Sequence, residues 1–382
     1  MIVQVLFFDR QAHMKQLLII IVLGMVLYVS CSTNEPSILG PAEGKKALEI
    51  QAEVSKWFDG HQAAVSINYD GPYGTHEKIN RVADDVTGRG LHMDYECVTD
   101  SYSRESYQQI VIDMRTIMIP RGVHFFGHGH KHDQHDWFDF DYCYTSFKTC
   151  YDYMELWGLQ PKAYGYPASS GRNKTTQLAC ELAGFISARG VTVYPDSFFI
   201  CPDELTEPLN WYYLPSVPVG KNYPSYVNDH SEMSVVLDRN LEKTAWIIIM
   251  YHAIDFPDGW GYYPRADFLQ DLDQIAANDF WSGNMDMVAA YIHERNRFQL
   301  DVSTVMVKDD TWYCDIVFRD GLDNTMYNQP LTVELTFAAE YTIQNVYIEP
   351  PLNLLSVFPV TDNKLIINSI PDERVYHLKI KR

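Results

Sequence analysis

Five histidines fall within twelve residues: His124, His128, His130, His132 and His135, with Asp133 and Asp136 interleaved. Neutral imidazole and carboxylate are the borderline donors that Zn²⁺ and similar ions take. His128 and His132 are four apart, so one helical turn would set both on one side, whereas an extended chain would align His128, His130 and His132. Either geometry permits chelation. Upstream, Asn68-Tyr69-Asp70-Gly71 closes an apolar run. With Asp70 as third ligand, two imidazoles and one carboxylate would leave a position open for water, the mark of a catalytic rather than a structural metal site. A water held there is acidified into a nucleophile.

These residues need elements to bring them together. Apolar runs at Ala63–Tyr69, Val123–Phe126, Ala163–Tyr166, Phe185–Ala188 and Trp246–Tyr251 read as strands. Between them, Lys78–Thr87, Ser103–Met118, Phe147–Trp157, Lys174–Leu182 and Met285–Arg295 read as helices. Strand and helix alternating at this spacing predict an α/β domain with a largely parallel sheet. The predicted strands end in Tyr69-Asp70-Gly71, Gly127-His128-Gly129-His130, Tyr166-Pro167, Ala188-Arg189-Gly190 and Tyr251-His252. In a β/α barrel the C-terminal strand ends share one face. Asp70, the histidine cluster, Arg189 and His252 would therefore converge on one mouth. Asp258-Gly259-Trp260-Gly261-Tyr262-Tyr263 follows His252 and offers an aromatic wall to a sugar ring, or equally a tight loop packed for stability. Asp94 and Glu96 follow a short apolar stretch and are weaker candidates for the mouth.

After Leu300 the helical period vanishes. Val302–Met306, Trp312–Phe318, Leu331–Phe337, Ile343–Ile348, Lys364–Ile367 and Tyr376–Ile380 read as strands punctuated by Asp, Asn, Gly and Pro, the pattern of a small β-sandwich. The division expected is a signal segment with an upstream extension at 1–31, a polar tether at 32–52, a barrel at 53–298 and a β-sandwich at 299–382. The signal reading rests on Met14-Lys15, the apolar run Leu17 to Val29, and Ser30-Cys31. That run is shorter than the roughly 20 residues that span a bilayer. A cysteine directly after a small residue resembles a bacterial lipoprotein signal, in which Cys31 would become the lipid-modified first residue of an exported, membrane-anchored protein.

The 382 residues carry a net charge of −20, which repels phosphate backbones and excludes nucleic acid as a partner. It also disfavours docking on anionic headgroups, so attachment to a membrane would be covalent. Beyond Cys31, six cysteines contain no CxxC pair, which argues against a thiolate zinc site; pairing into disulfides is not readable. No GxSxG elbow or phosphate-cradling glycine loop occurs, so serine-hydrolase and nucleotide chemistry lack support.

The order of these motifs is similar to that of the polysaccharide deacetylase (NodB-like) family: Asp70-Gly71 after a first strand, His128-Gly129 and His132 after a second, Tyr166-Pro167 after a third, and His252 near the end. The likeness covers roughly Ala63 to Arg297. It implies a distorted (β/α) barrel and metal-dependent removal of an N- or O-acetyl group from a glycan. It carries His128 and His132 over as metal ligands of a divalent ion, zinc being the expected one, and His252 as general acid. Tyr166, Trp260 and Tyr262 would line the sugar site. Two positions depart from the family. It places two adjacent Asp before the Gly, a base and then a ligand; here only Asp70 is present. Aligned on Gly71 and Pro72, Asp70 is the ligand, the role favoured here. Aligned on the alternation of Val65, Ile67 and Tyr69, it is the base, and Gly71 stands where the ligand belongs. With Asp70 as the ligand, His130, Asp133 or His135 would supply the missing function. The family's Arg before the aromatic-Pro turn is also absent, with Gly165 or Tyr164 in its place, and Arg189 is the substitute by analogy. These losses leave a rival expectation, a catalytically impaired scaffold that binds glycan without hydrolysing it.

Overall fold

The computed structural model describes residues 50–221, 227–308, 311–338, 342–348, 360–361 and 363–381. The signal segment with Cys31, and the tether up to residue 49, lie outside them.

The core is a parallel sheet rolled into a ring. Its strands are β1 (Ala63–Tyr69), β2 (Met93–Cys97), β3 (Val123–Gly127), β4 (Ala163–Gly165), β5 (Ser187–Arg189), β6 (Val217–Pro218) and β7 (Trp246–Tyr251). They pair in the order β5-β4-β3-β2-β1-β7-β6. A parallel bridge between Arg189 and Leu214, three residues before β6, closes the ring. The eighth strand, β8 (Phe280–Ser282), stays out of that order. It pairs with Ala63 to Val65 at the lower half of β1, while β2 pairs with Asn68 and Tyr69 at the upper half. This wedge distorts the barrel.

Alternation along each strand decides what lies inside. Val65, Ile67 and Tyr69 of β1, Met93, Tyr95 and Cys97 of β2, and Ile247, Ile249 and Tyr251 of β7 face outward into one apolar cluster. Helix α1 (Glu77–Thr87) buries Val82, Ala83 and Val86 there, and begins where His76 accepts from the Lys78 N–H. Helices α2 (Phe140–Leu156) and α3 (Lys174–Ala183) cover β4 and β5 with a second cluster around Phe147, Tyr164 and Phe185. α4 (His230–Glu242), α5 (Arg265–Ala277) and α6 (Met285–Arg295) complete the coat. With period two, the opposite side chains turn into the barrel. Several are polar, and Ser66, Asn68, Asp94, Ser187 and Arg189 are all buried.

Two further sheets follow. One orders β9 (Gln299–Lys308), β10 (Thr311–Arg319), β14 (Val375–Lys381) and β12 (Thr342–Ile348) as β9-β10-β14-β12. The other orders Ile50–Val54, β11 (Leu331–Phe337), β13 (Lys364–Ser369) and Val360–Thr361 side by side. All their pairings are antiparallel. Leu331, Val333, Leu335 and Phe337 alternate into the buried side, as do Trp312, Cys314, Ile316 and Phe318. Ile50–Val54 corrects the tether boundary: residues 50–52, read from sequence as tether, are an edge strand paired with Phe337 to Leu335. Apolar Ile50 and Ala52 made too short a run to signal a strand. The six described cysteines are all buried free thiols, and none is disulfide-bonded.

Candidate active site

The upper end of the ring opens on a cavity of about 420 Å³, lined by Asp70, Glu96, His128, His132, Tyr166, Ala168, Ser169, Val191, Met250, His252 and Trp260. Asp70, His128, Arg189 and His252 each follow or end a strand, as the sequence required. The carboxylates sort differently from the favoured expectation. Ligand atoms of Glu96, His128 and His132 all lie within 4.8 Å of one another, and Asp70 does not join that group. Asp70 is ion-paired through Oδ1 to Arg189, with its Oδ2 3.6 Å from His252 Nε2. Gly71 has no room for a side chain: a Cβ there would sit 2.3 Å from the Tyr69 ring. The carboxylate beside the imidazoles comes instead from the neighbouring strand.

The donor set fits a divalent cation. His128 is buried, and its Nδ1–H donates to the Gly165 carbonyl at 2.8 Å. This hydrogen bond fixes the tautomer and leaves Nε2 as a lone pair. Burial, with His132 and Arg189 adding to it against Asp70, lowers His128 to about 3, so the ring is neutral. Its Nε2 faces Glu96 Oε2 at 3.4 Å. With the ring neutral this is no ion pair but an acceptor facing a carboxylate. Burial, reinforced by the charge of Asp70 and opposed by Arg189, pushes Glu96 up to about 8. Two acceptors held face to face are satisfied by a proton or by a shared cation, and a cation inverts the penalty on the charged carboxylate. His132 completes the set from the exposed rim, its ring centroid 4.9 Å from that of His128.

Arg189 reaches Asp70 from the end of β5. A Cβ on Gly165 would meet the Phe126 ring at 2.7 Å and Arg189 Cζ at 3.1 Å. The glycine thus leaves the space that the guanidinium fills, 4.8 Å over the Phe126 ring. Burial raises the Asp70 carboxyl, but Arg189, His252 and His128 together outweigh it and hold it below the usual carboxylate range. Burial lowers His252 to about 4 despite Asp70 beside it, so that ring too is neutral. Trp260, half exposed, meets His252 edge-on at 4.3 Å. It also lines a second cavity of about 470 Å³ with Lys78 and Phe256.

The other sequence candidates lie elsewhere. His130 bonds Thr99 and stacks on Tyr153, His135 is buried against Ser146, and Asp133 accepts from Tyr142. None supplies a missing function. Asp255, three residues after His252, pairs with Arg81 and Lys78. Tyr166 reaches the cavity but is 2% exposed and packs on Tyr164 and Phe147, so it is more wall than platform. Tyr262 lines neither cavity; its backbone pairs with Ala253 and Lys221. Glu96 stands out little in the sequence because β2 does not read there as a strand. The signal was present: in Leu91-His92-Met93-Asp94-Tyr95-Glu96-Cys97 apolar and polar residues alternate.

No protein-family model matches the chain, and no curated protein does. Solved structures similar to it include a protein from Mycobacterium smegmatis assigned as a polysaccharide deacetylase (15% identity, 64% of this chain and 94% of that one, TM-score 0.48). Another is the family 4 carbohydrate esterase from Streptomyces lividans in complex with acetate (12%, 58% and 92%, TM-score 0.38). A third is the carbohydrate deacetylase Agd3 (9%, 86% and 66%, TM-score 0.44). These likenesses are weak in identity and in superposition, and the functional reading rests on the site's own residues.

Proposed function

We propose that this protein removes acetyl groups, N- or O-linked, from a glycan by metal-dependent hydrolysis. One observation carries the reading. A carboxylate-and-two-imidazole set, Glu96, His128 and His132, borders the same cavity as an arginine-paired carboxylate, Asp70, and a neutral His252. The alternative alignment of the Asp-Gly motif is therefore adopted: Asp70 is the base and Glu96 the third ligand. Glu96, His128 and His132 would hold a divalent ion, zinc first among candidates, which when bound would polarise the acetyl carbonyl and acidify the attacking water.

The chain's own groups move the proton. Asp70 is kept ionised by Arg189, which occupies Oδ1 and leaves Oδ2 free to accept a proton from water. Water oxygen bonds to the acetyl carbon as that proton leaves. His252, 3.6 Å from Asp70 Oδ2 and neutral at rest, is placed to receive the proton and hand it to the departing nitrogen or oxygen as the carbon–heteroatom bond breaks. Acetate and a free amine or hydroxyl result. The exposed face of Trp260 suits the apolar face of a pyranose ring. The apolar run before Cys31 supports an exported, lipid-anchored location, so the glycan is an extracytoplasmic one.

The test is acetate release from a panel of acetylated glycans by residues 32–382, with zinc against chelator. Zinc-dependent release from one member establishes the reaction and names its substrate. One equivalent of metal bound with no release across the panel leaves a glycan-binding scaffold instead.

A further inference from the structure

Arg189 is fully buried. A guanidinium in that position needs its donors occupied and its plane fixed. Nη2 meets Asp70, Nη1 meets the Met250 sulfur at 3.2 Å, and Nε donates to Asn68 Oδ1 at 3.0 Å. Asn68 is itself fully buried, on β1 two residues before Asp70. Its oxygen is committed to Arg189, so its amide nitrogen faces the other way and donates to Asp94 Oδ2 at 2.8 Å. Only a side chain with an acceptor at one end and a donor at the other bridges a guanidinium and a carboxylate.

Asp94 is anchored in turn. Its backbone stands opposite Asn68 in the parallel register of β1 and β2. Its oxygens accept from Asn284 Nδ2 at 3.1 Å and from the Met285 N–H at 2.9 Å, at the start of α6. Asn284 Nδ2 also donates to the Met93 carbonyl at 2.7 Å. A continuous run of hydrogen bonds therefore joins the first turn of α6, through Asp94, Asn68 and Arg189, to the base. Neither Asn68 nor Asp94 reaches the cavity, and the proposed reaction uses neither.

We infer that Asn68 and Asp94 are positioning residues, which set the plane of Arg189 and through it aim the free oxygen of Asp70 at the attacking water. This rests on the reading of Asp70 as base. A base displaced by about 1 Å loses roughly a hundred-fold in rate while the distant contacts that bind substrate remain. Hence Asn68→Leu, nearly the same volume without either hydrogen bond, lowers kcat roughly 10- to 100-fold with KM within about two-fold and one metal still bound. Asn68→Ser, which keeps one hydroxyl but holds it an atom nearer the backbone and so serves one neighbour at most, gives an intermediate loss of roughly 5- to 10-fold.

The decisive measurement is a double-mutant cycle with Asp70→Asn, since a residue that acts only by aiming Asp70 has nothing left to aim. Expected is less than about a two-fold further loss from Asn68→Leu in the Asp70→Asn background. An equal loss in both backgrounds, or an Asn68→Leu enzyme with unaltered kcat, overturns the inference. If Asn68→Leu fails to fold, the cycle is run with Asn68→Ser, whose residual loss must likewise vanish in the Asp70→Asn background; a persisting loss rejects it. An Asp70→Asn enzyme of full activity sinks the reading of the base itself, which is a separate failure.

Discussion

The barrel holds two clusters built from the same materials on the same strands. At the upper end Glu96 of β2 joins His128 and His132. At the lower end Asp94, two residues earlier on β2, joins His124 and Asp286. Both bring ligand atoms within 4.8 Å of one another. They differ in what else satisfies them. Asp94 accepts three hydrogen bonds, from Asn68, Asn284 and the Met285 N–H. His124 Nδ1 lies 3.1 Å from both oxygens of Asp286, and Asp286 also takes the Met287 N–H. The lower cluster closes on itself as an ion pair and a capped carboxylate. In the upper one, His128 spends Nδ1 on Gly165 and turns a bare lone pair toward Glu96 beside an open cavity. The two clusters share residue types and differ in how far their polar atoms are already satisfied.

The largest effects should come from breaking the upper cluster. His128→Ala, or Glu96→Gln, abolishes the single equivalent of bound metal and lowers acetate release by about a thousand-fold or more, several kcal/mol of lost charge stabilisation. Metal analysis of the purified variants checks it; retention of the ion by both would transfer the site elsewhere. Asp70→Asn keeps the metal and lowers kcat by roughly 10²- to 10⁴-fold, the range of one general base. Loss of the ion from that variant would restore Asp70 to the ligand role that alignment on Gly71 favours.

At the lower cluster the comparison predicts the reverse pattern. Asp286→Asn leaves metal content unchanged and kcat within about three-fold, but strips His124 of its counter-charge and destabilises the fold by about 1–3 kcal/mol, less than a fully buried pair would because His124 is partly exposed. Denaturant unfolding measures this; loss of metal would make the cluster a second ion site. The smallest effect is its pH dependence. His124 is raised above its ordinary 6.5: burial lowers it, but Asp286, by charge and hydrogen bond, and Asp94 outweigh that. A histidine whose folded pKa exceeds its unfolded one lends stability that is complete below 6.5 and fades as pH rises through the folded value. Asp286 is lowered and contributes above its ordinary 3.8, so it stays ionised throughout that window. The stability gap between wild type and Asp286→Asn should therefore narrow as pH rises above 6.5. A constant gap across that range would mean His124 carries no proton in the pair.

Much of this was legible along the chain. Long apolar runs such as Trp246–Tyr251 announce buried strands. The antiparallel strands after Leu300 alternate cleanly because each buries one face. β5 was read two residues early, at Phe185–Ala188, because Phe185 and Ile186 are apolar although they precede the strand. β2 escaped because Asp94 and Glu96 interrupt its hydrophobicity; its inward face is polar where a barrel interior is usually apolar. Helices α4 and α5 escaped too, their buried positions being few beside a charged outer face.

The sequence by itself determined the roster of chemistry: His128 and His132 four apart, Asp70 and His252 at strand ends, Arg189 and the glycine at 165. It determined the parallel fold too, because alternation of strand and helix leaves few other ways to bury both faces of a sheet. The tertiary structure alone decided which carboxylate meets the imidazoles and which meets the arginine. That choice depends on strand order and register across 119 residues between Asp70 and Arg189, and on the space left by Gly71 and Gly165. Distances of a few ångströms between segments far apart in the chain are set by packing, and no local pattern encodes them.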